Sequence, residues 1–286
     1  MLYRDGILTA EGNSHQVPAG QLITHTVCDH IGYVDCGIRS NSLDHALSKI
    51  FEELAFHETK LGELSLRRRL SPTLGGAEVY EVSLDGQFLM SSVVNVSEIA
   101  LTEIGLSDLG DGPLDVVVGG LGLGHTAKAA LDDPRVASVV VIEHLPEVIE
   151  WHAKGLVPLA DELTRDPRCK FVEGDFFALM RAEAEPLDAD EPEKKYNAVL
   201  VDIDHSPTAL LHPDNGGFYS PEGLRRLIAH IHPGGVFALW SADPPDDNFM
   251  GTLGEAFAES ETHEIEFYNA LLDLEDLNTV YVARIE

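Results

Sequence analysis

Positive charge is scarce in this chain, cysteine is rarer, and long apolar runs are missing altogether. Only 19 Lys and Arg stand against 49 Asp and Glu in 286 residues, a formal net charge of −30. A surface this negative repels the phosphates of nucleic acid and of anionic membranes, which excludes both as expected partners, and it attracts cations. A general solubility or salt adaptation of the surface leaves the same composition. No apolar stretch approaches the ~20 residues of a membrane span. No basic segment followed by an apolar one opens the chain, so no secretory signal is expected. Three cysteines, Cys28, Cys36 and Cys169, do not make a disulfide framework, and a reducing cytoplasm is the expected setting.

Residues 1–42 also lack sustained periodicity, with Gly, Asn, Ser and His scattered among their apolar positions. They read as a poorly packed N-terminal extension. His25, Cys28, His30 and Cys36 fit no established zinc spacing, so no metal is expected.

Residues 43–110 read as a helix plus a small β module. Ser42 to Leu54 has helical spacing with Ser42 as N-cap. Glu63 to Arg69 and Val79 to Leu84 alternate with period two, Asp85-Gly86 is a hairpin turn, and Gln87 to Val94 supplies the returning strand. Arg67, Arg68 and Arg69 are expected to pair with the abundant acids. A short helix follows over 97–106.

Residues 111–286 alternate strand and helix, which predicts a mostly parallel sheet. Within them, 182–195 reads as a mobile surface loop, and His263 to Asn269 and Thr279 to Ile285 as two final strands. The fold class is α/β: a Rossmann-like sheet with helices on both faces, preceded by a small β-hairpin module.

The most informative stretch is Leu114 to Thr126. The β-branched run Val116-Val117-Val118 stops at a loop carrying Gly119, Gly120, Gly122 and Gly124, and an Ala-rich helical pattern follows at once. A buried strand, a tight turn and a helix N-terminus let backbone N–H groups approach a ligand closely. A second apolar strand ends in Glu143, about 20 residues beyond the loop, where an acid can accept hydrogen bonds from both hydroxyls of a ribose. The loop and the acid together point to a nucleoside-containing cofactor.

Gly122-Leu-Gly124-His-Thr-Ala127 also fits the dinucleotide fingerprint of NAD proteins. The later strands argue otherwise. Lys170 to Asp175 and Tyr196 to Asp202 each end in an acid, and Pro233-Gly234-Gly235 precedes a fifth strand that ends near Trp240. This order resembles the class I S-adenosylmethionine (SAM) transferases. In that family the Gly loop faces the amino-acid tail, the second acid the ribose and the third the adenine amine.

The hairpin module carrying Leu84-Asp85-Gly86, the acids Glu98 and Glu103 in the next helix, loop 119–124, Glu143, Gly174-Asp175, Asp202 and Pro233-Gly234-Gly235 resemble the spermidine synthase (polyamine aminopropyltransferase) family over residues 45–285. The resemblance implies a transferase, with decarboxylated SAM as donor and an amine as acceptor. It also breaks at informative places. The family grips the aminopropyl ammonium with an Asp inside Gly-Gly-Gly-Asp-Gly-Gly, and here that position is Gly122. The family's Asp-Ser-Ser-Asp reads Asp202-Ile203-Asp204-His205, and Leu101 and Thr102 replace polar and aromatic residues of the polyamine channel.

Without the loop acid, free loop amides can accept the carboxylate of ordinary SAM. The sequence therefore leans toward SAM-dependent methyl transfer to a small-molecule acceptor, with aminopropyl transfer from decarboxylated SAM as the alternative. A non-catalytic adenosyl-ligand binder is a third reading. A homodimer is compatible with the resemblance. Candidate catalytic residues are Asp202, Asp204 and His205, with His205 as a general base. Candidate cofactor residues are Gly119, Gly120, Gly122, Gly124, Glu143, His144, Asp175, Phe176 and Asp202. Candidate substrate residues are Glu98, Glu103 and Trp240.

Overall fold

The computed structural model describes residues 51–181 and 186–286, which belong to one compact unit spanning Ser48–Glu286. Residues 1–42, with His25, Cys28, His30 and Cys36, lie outside the described residues, as does most of the expected Ser42-capped helix.

Four strands open the described chain: β1 (Phe51–Thr59), β2 (Gly62–Ser71), β3 (Ala77–Leu84) and β4 (Gln87–Ser91), an antiparallel sheet in that order. The helical spacing read through Leu54 gives way here to a strand beginning at Phe51. Cross-strand charge explains the override. Glu52 and Glu53 stand opposite Arg68 and Arg67, and the Arg68–Glu52 pair closes to 2.6 Å. Arg69 pairs across the other edge with Glu81 at 2.8 Å. The three arginines thus tie β2 to both neighbours. At the β3–β4 turn, Asp85 and Gly86 both take positive φ (53° and 74°), the geometry of a two-residue hairpin loop.

The remaining strands form a seven-stranded sheet: β5 (Leu114–Gly119), β6 (Val136–Glu143), β7 (Cys169–Glu173), β8 (Tyr196–Val201), β9 (Ile231–Ser241), β10 (Glu259–Asn269) and β11 (Leu274–Arg284), in the order β10-β11-β9-β8-β5-β6-β7. From β7 to β9 the pairings are parallel, and β11 and β10 add an antiparallel edge. The chain runs from β5 outward through β6 to β7, then returns to place β8 on the other side of β5. That reversal opens a crevice at the carboxyl ends of β5 and β8, where ligands bind in such sheets.

Successive residues of β5 face opposite cores. Val116 and Val118 pack with the hairpin sheet and with α1 (Val96–Leu106), α2 (His125–Asp132), α3 (Pro146–Ala153) and α4 (Ala160–Arg165). Val117 packs on the other face with α5 (Phe176–Arg181), α6 (Pro221–Ile228) and α7 (Asp247–Ala256). Both faces being covered explains the unbroken apolar run in the sequence.

The second core is centred on aromatic rings. Phe218 is 1% exposed and meets Phe177 and Tyr219 at 5.2 Å, Phe176 at 5.6 Å and Phe237 at 6.0 Å between ring centroids. Phe218→Ala is expected to cost about 3–5 kcal/mol, read as a fall in the midpoint of denaturant unfolding at unchanged slope.

Candidate functional site

The loop after β5 is held from three directions. Gly120 N–H donates to the Ile142 carbonyl at 2.9 Å, and Asp202 N–H donates to the Gly119 carbonyl at 2.9 Å. Gly120 has φ 95°, and a Cβ there would stand 2.2 Å from the Asp202 carbonyl oxygen, so no other residue fits. His152, buried on α3, reaches the Gly122 carbonyl with Nε2 at 3.0 Å. Burial pushes its pKa down, so the neutral imidazole donates from Nε2.

Glu143 lies at the tip of β6 and is 8% exposed. Its Oε2 accepts from Leu121 N–H at 2.9 Å and its Oε1 from Leu145 N–H at 2.8 Å. Burial raises its pKa against the lowering effect of these amides. The carboxylate ties the Gly loop to the turn after β6, and each oxygen keeps a lone pair for a further donor.

Two neighbouring cavities meet at this loop. The first, about 320 Å³, is lined by Gly120, Glu143, His144, Asp175 and Phe176 on the sheet side, and by Leu61, Leu64, Leu84 and Leu89 of the hairpin module opposite. Asp175 caps α5 through Ala178 N–H at 2.9 Å, leaving its second oxygen 3.7 Å from Arg181. Phe176 is 2% exposed and fixed edge-on against Phe177 and Phe218. The second cavity, about 150 Å³, is lined by Glu98, His125, His205, Trp240 and Asn278 among others. Leu89, Met90, Gly122, Asp202, Ile203 and Leu211 line both.

Asp202 sits at that junction, with Oδ2 accepting from Thr126 Oγ1 at 2.7 Å. Burial pushes its pKa up to about 6, opposed by the Thr126 hydrogen bond. Burial, followed by the Asp202 charge, pushes the Glu98 carboxyl up to about 8. Glu98 is held by a relay in which Trp240 Nε1 donates to Ser97 Oγ at 2.9 Å and Ser97 Oγ donates to Glu98 Oε2 at 2.9 Å. His125, on the same cavity wall, accepts from Asn95 through Nδ1 at 3.2 Å. Burial, and then the nearness of the titratable His152 ring, lower its pKa to about 4, which leaves a neutral ring.

Three candidates line neither cavity, and Gly119 is one of them, buried at the end of β5 with its carbonyl bonded by Asp202 N–H. Asp204 is 1% exposed and lines neither cavity; its carboxylate is consumed by Leu211 N–H (2.6 Å), Asn215 Nδ2 (2.9 Å) and Tyr219 OH (2.9 Å). It pins the loop after β8 to the start of α6. Glu103 is exposed and lines neither cavity. Five residues beyond Glu98 on an ideal helix is about 140° around the axis, the opposite face. Leu101 and Thr102 are buried in packing, Thr102 bonding the Thr126 carbonyl at 3.1 Å. Ser97, Thr126, His152 and Met90 carry the site's geometry without any local motif to mark them. Among the described residues no group of three or more His, Cys, Asp or Glu is placed to hold a metal.

The strand order, the Gly loop and the acids at strand ends define a class I SAM-transferase-type α/β fold. It matches solved structures of spermidine synthases. One, in complex with the transition state analogue AdoDATO, aligns at TM-score 0.62 and 16% identity over 82% of this chain and 74% of that one. The spermidine synthase of Thermotoga maritima aligns at TM-score 0.60 and 14% identity over 82% and 73%. No family model and no curated protein matches the sequence.

Two expected outcomes test this geometry. Glu143→Ala is expected to weaken binding of methylthioadenosine by about 1–3 kcal/mol in calorimetry, since two amides and the ligand hydroxyls lose their acceptor. The second concerns Glu98. Its folded pKa of about 8 exceeds the ordinary glutamate value of 4.5, so the native state keeps a proton that the unfolded chain has released. Stability therefore falls as pH rises from about 4.5 through about 8. Glu98→Gln removes that penalty, and its melting temperature relative to the parent is expected to climb between pH 5 and pH 8.5. A difference that stays flat across that range rules out the raised pKa.

Proposed function

We propose that this protein alkylates an amine acceptor, drawing the alkyl group from an adenosyl sulfonium donor. The observation that carries the reading is the neighbouring carboxyls of Asp202, which lines both cavities, and Glu98, which lines the second, beside a first cavity suited to adenosine. Residues of the first cavity fit the donor's nucleoside: Glu143 for the ribose hydroxyls, Asp175 for the adenine amine and Phe176 for the adenine face. The glycines at 120 and 122 supply the close backbone approach. When bound, the donor supplies an electrophilic carbon attached to a leaving group that departs as a neutral thioether.

The rest falls to the chain's own acids. An amine reaches the site mainly as ammonium, given an ordinary pKa near 10.4. Two acids in a half-closed site attract that cation, and its arrival lowers their pKa values. Asp202 is positioned to take the proton that must leave before nitrogen can attack. Thr126 fixes one of its oxygens, leaving the other toward the junction. Trp240 and Ser97 hold Glu98 as the second anion against the acceptor. Positioning and water exclusion supply most of the remaining acceleration.

Methyl transfer from SAM is supported by the loop, which carries no acid, and by Lys60. This residue is the one Lys or Arg among those lining either cavity, and it pairs with no carboxylate among the described residues, leaving it for the carboxylate that SAM carries. Aminopropyl transfer from decarboxylated SAM is the other reading, and the comparisons with solved structures favour it over methyl transfer. The acid pair supports it by offering an ammonium partner away from the loop, and the spermidine synthase neighbours, one bound to a transition state analogue, add to it.

Calorimetry with methylthioadenosine, SAM and decarboxylated SAM separates these readings, and failure of all three to bind overturns both. With the preferred donor and a panel of amines, Asp202→Asn is expected to lower kcat about 10²- to 10⁴-fold while methylthioadenosine binds as in the parent. Turnover unaffected by Asp202→Asn removes it as the proton acceptor.

A further inference from the structure

The two acids of the second cavity are neighbours, and the rest of its described wall carries no third. Asp202 lines both cavities and Glu98 the second alone, near enough for the Asp202 charge to act on Glu98. Thr126 holds one oxygen of Asp202 and Ser97 one oxygen of Glu98, which leaves the other oxygen of each for a cation. Among the described residues that line the second cavity and not the first, Glu98 is the one acid, and none is Lys or Arg. Much of what remains is apolar: Phe88, Val94, Leu123 and Trp240. Trp240 gives its Nε1 hydrogen to Ser97, and Asn278 gives its amide hydrogens to the carbonyls of Ala242 and Leu277. Ser91 and the imidazoles of His125 and His205 complete the polar part of the wall, and none of them supplies a negative charge. Phe88 adds a second kind of observation. It lies on β4, is 52% exposed, and borders the second cavity but not the first. A large ring left open at a cavity's edge gains when an apolar group covers it.

We propose that the second cavity takes a monoamine, its ammonium on the neighbouring acids Glu98 and Asp202 and its apolar body against Phe88, Val94, Leu123 and Trp240. The inference rests on the reading of those acids as the acceptor's partners, and it holds for either donor. A linear diamine brings a second ammonium to a wall that has no further carboxylate to receive it. Taking that charge out of water without a partner is costly. An alkyl or aryl body meets no such cost, and each carbon it buries adds to affinity.

Calorimetry with amines on the protein saturated with methylthioadenosine reads this cavity without a transfer reaction, and the thioadenosyl group is common to both donors. At about 0.15 M salt the acidic surface's long-range pull on a dication is screened. Affinity is expected to rise about threefold per added methylene from propylamine to hexylamine. 1,4-Diaminobutane is expected to bind about tenfold more weakly than butylamine. Phe88→Ala is expected to flatten the dependence on chain length while methylthioadenosine binds as in the parent. Phe88→Glu places a carboxylate on the wall and is expected to raise the affinity for 1,4-diaminobutane relative to butylamine about tenfold. The proposal is overturned if 1,4-diaminobutane binds the parent as tightly as butylamine, if affinity is indifferent to chain length, or if Phe88→Ala keeps the parent's dependence on it. A parent that fails to bind methylthioadenosine removes the adenosyl reading itself, and one that binds it but none of the amines removes the amine acceptor. A parent that binds both and prefers the diamine removes the monoamine alone.

Discussion

The Glu143 carboxylate is the constraint on which the rest of the site depends. Enclosed at the tip of β6, it would be costly to bury without partners. The amides of Leu121 and Leu145 supply them, and in doing so fix the Gly loop to the neighbouring strand. The loop is already held to the sheet by Gly120 and Asp202 backbone bonds. Its outline therefore exists before any ligand arrives. Pre-organisation of this kind lets backbone donors act without a further ordering cost on binding.

Local charge then decides what the site holds. The chain's net charge of −30 acts at long range, and salt screens exposed charges beyond about 8 Å at physiological ionic strength. Inside the junction, screening is weak and two carboxyls share one neighbourhood. Burial raises both pKa values and the Asp202 charge adds to that of Glu98, a cost that makes each acid easier to keep protonated than an exposed one. A cation relieves it, and the same cation lets both acids ionise. On the proposed reading, an acceptor that carries its own proton into the site thus creates the base that removes it.

Much of this was legible in the sequence because it is local. Strands with both faces buried read as unbroken apolar runs, and acids at their ends fall at positions set by strand length, as with Glu143 and Asp202. The Asp85-Gly86 turn announces itself by residue type. What failed was orientation. Asp204 shares a loop with Asp202, yet Asn215 and Tyr219 draw it into the interior, and both partners lie more than ten residues away. Glu103 has the right charge on the wrong helix face. β1 was hidden by a short run compatible with either period, decided only by arginines on the next strand. Thr126, Ser97 and His152 act through single hydrogen bonds between distant elements, and nothing adjacent to them in sequence marks that role.

The hairpin module matters for the same reason. The parallel sheet supplies the Gly loop and the acids, all at the carboxyl ends of its strands, and leaves one side of the crevice open. The strands from Phe51 to Ser91 close it with apolar side chains and one lysine. Because the sheet's loop is locked by Glu143, His152 and the strand amides, its own residues have little freedom to change the chamber's shape. Met90 comes from outside that locked set, on a strand whose pairing is irregular beside it. On the proposed reading, the sheet supplies the polar groups that recognise the nucleoside, and the strands that cover it supply the apolar wall opposite, so the two halves of the chamber come from separate sheets.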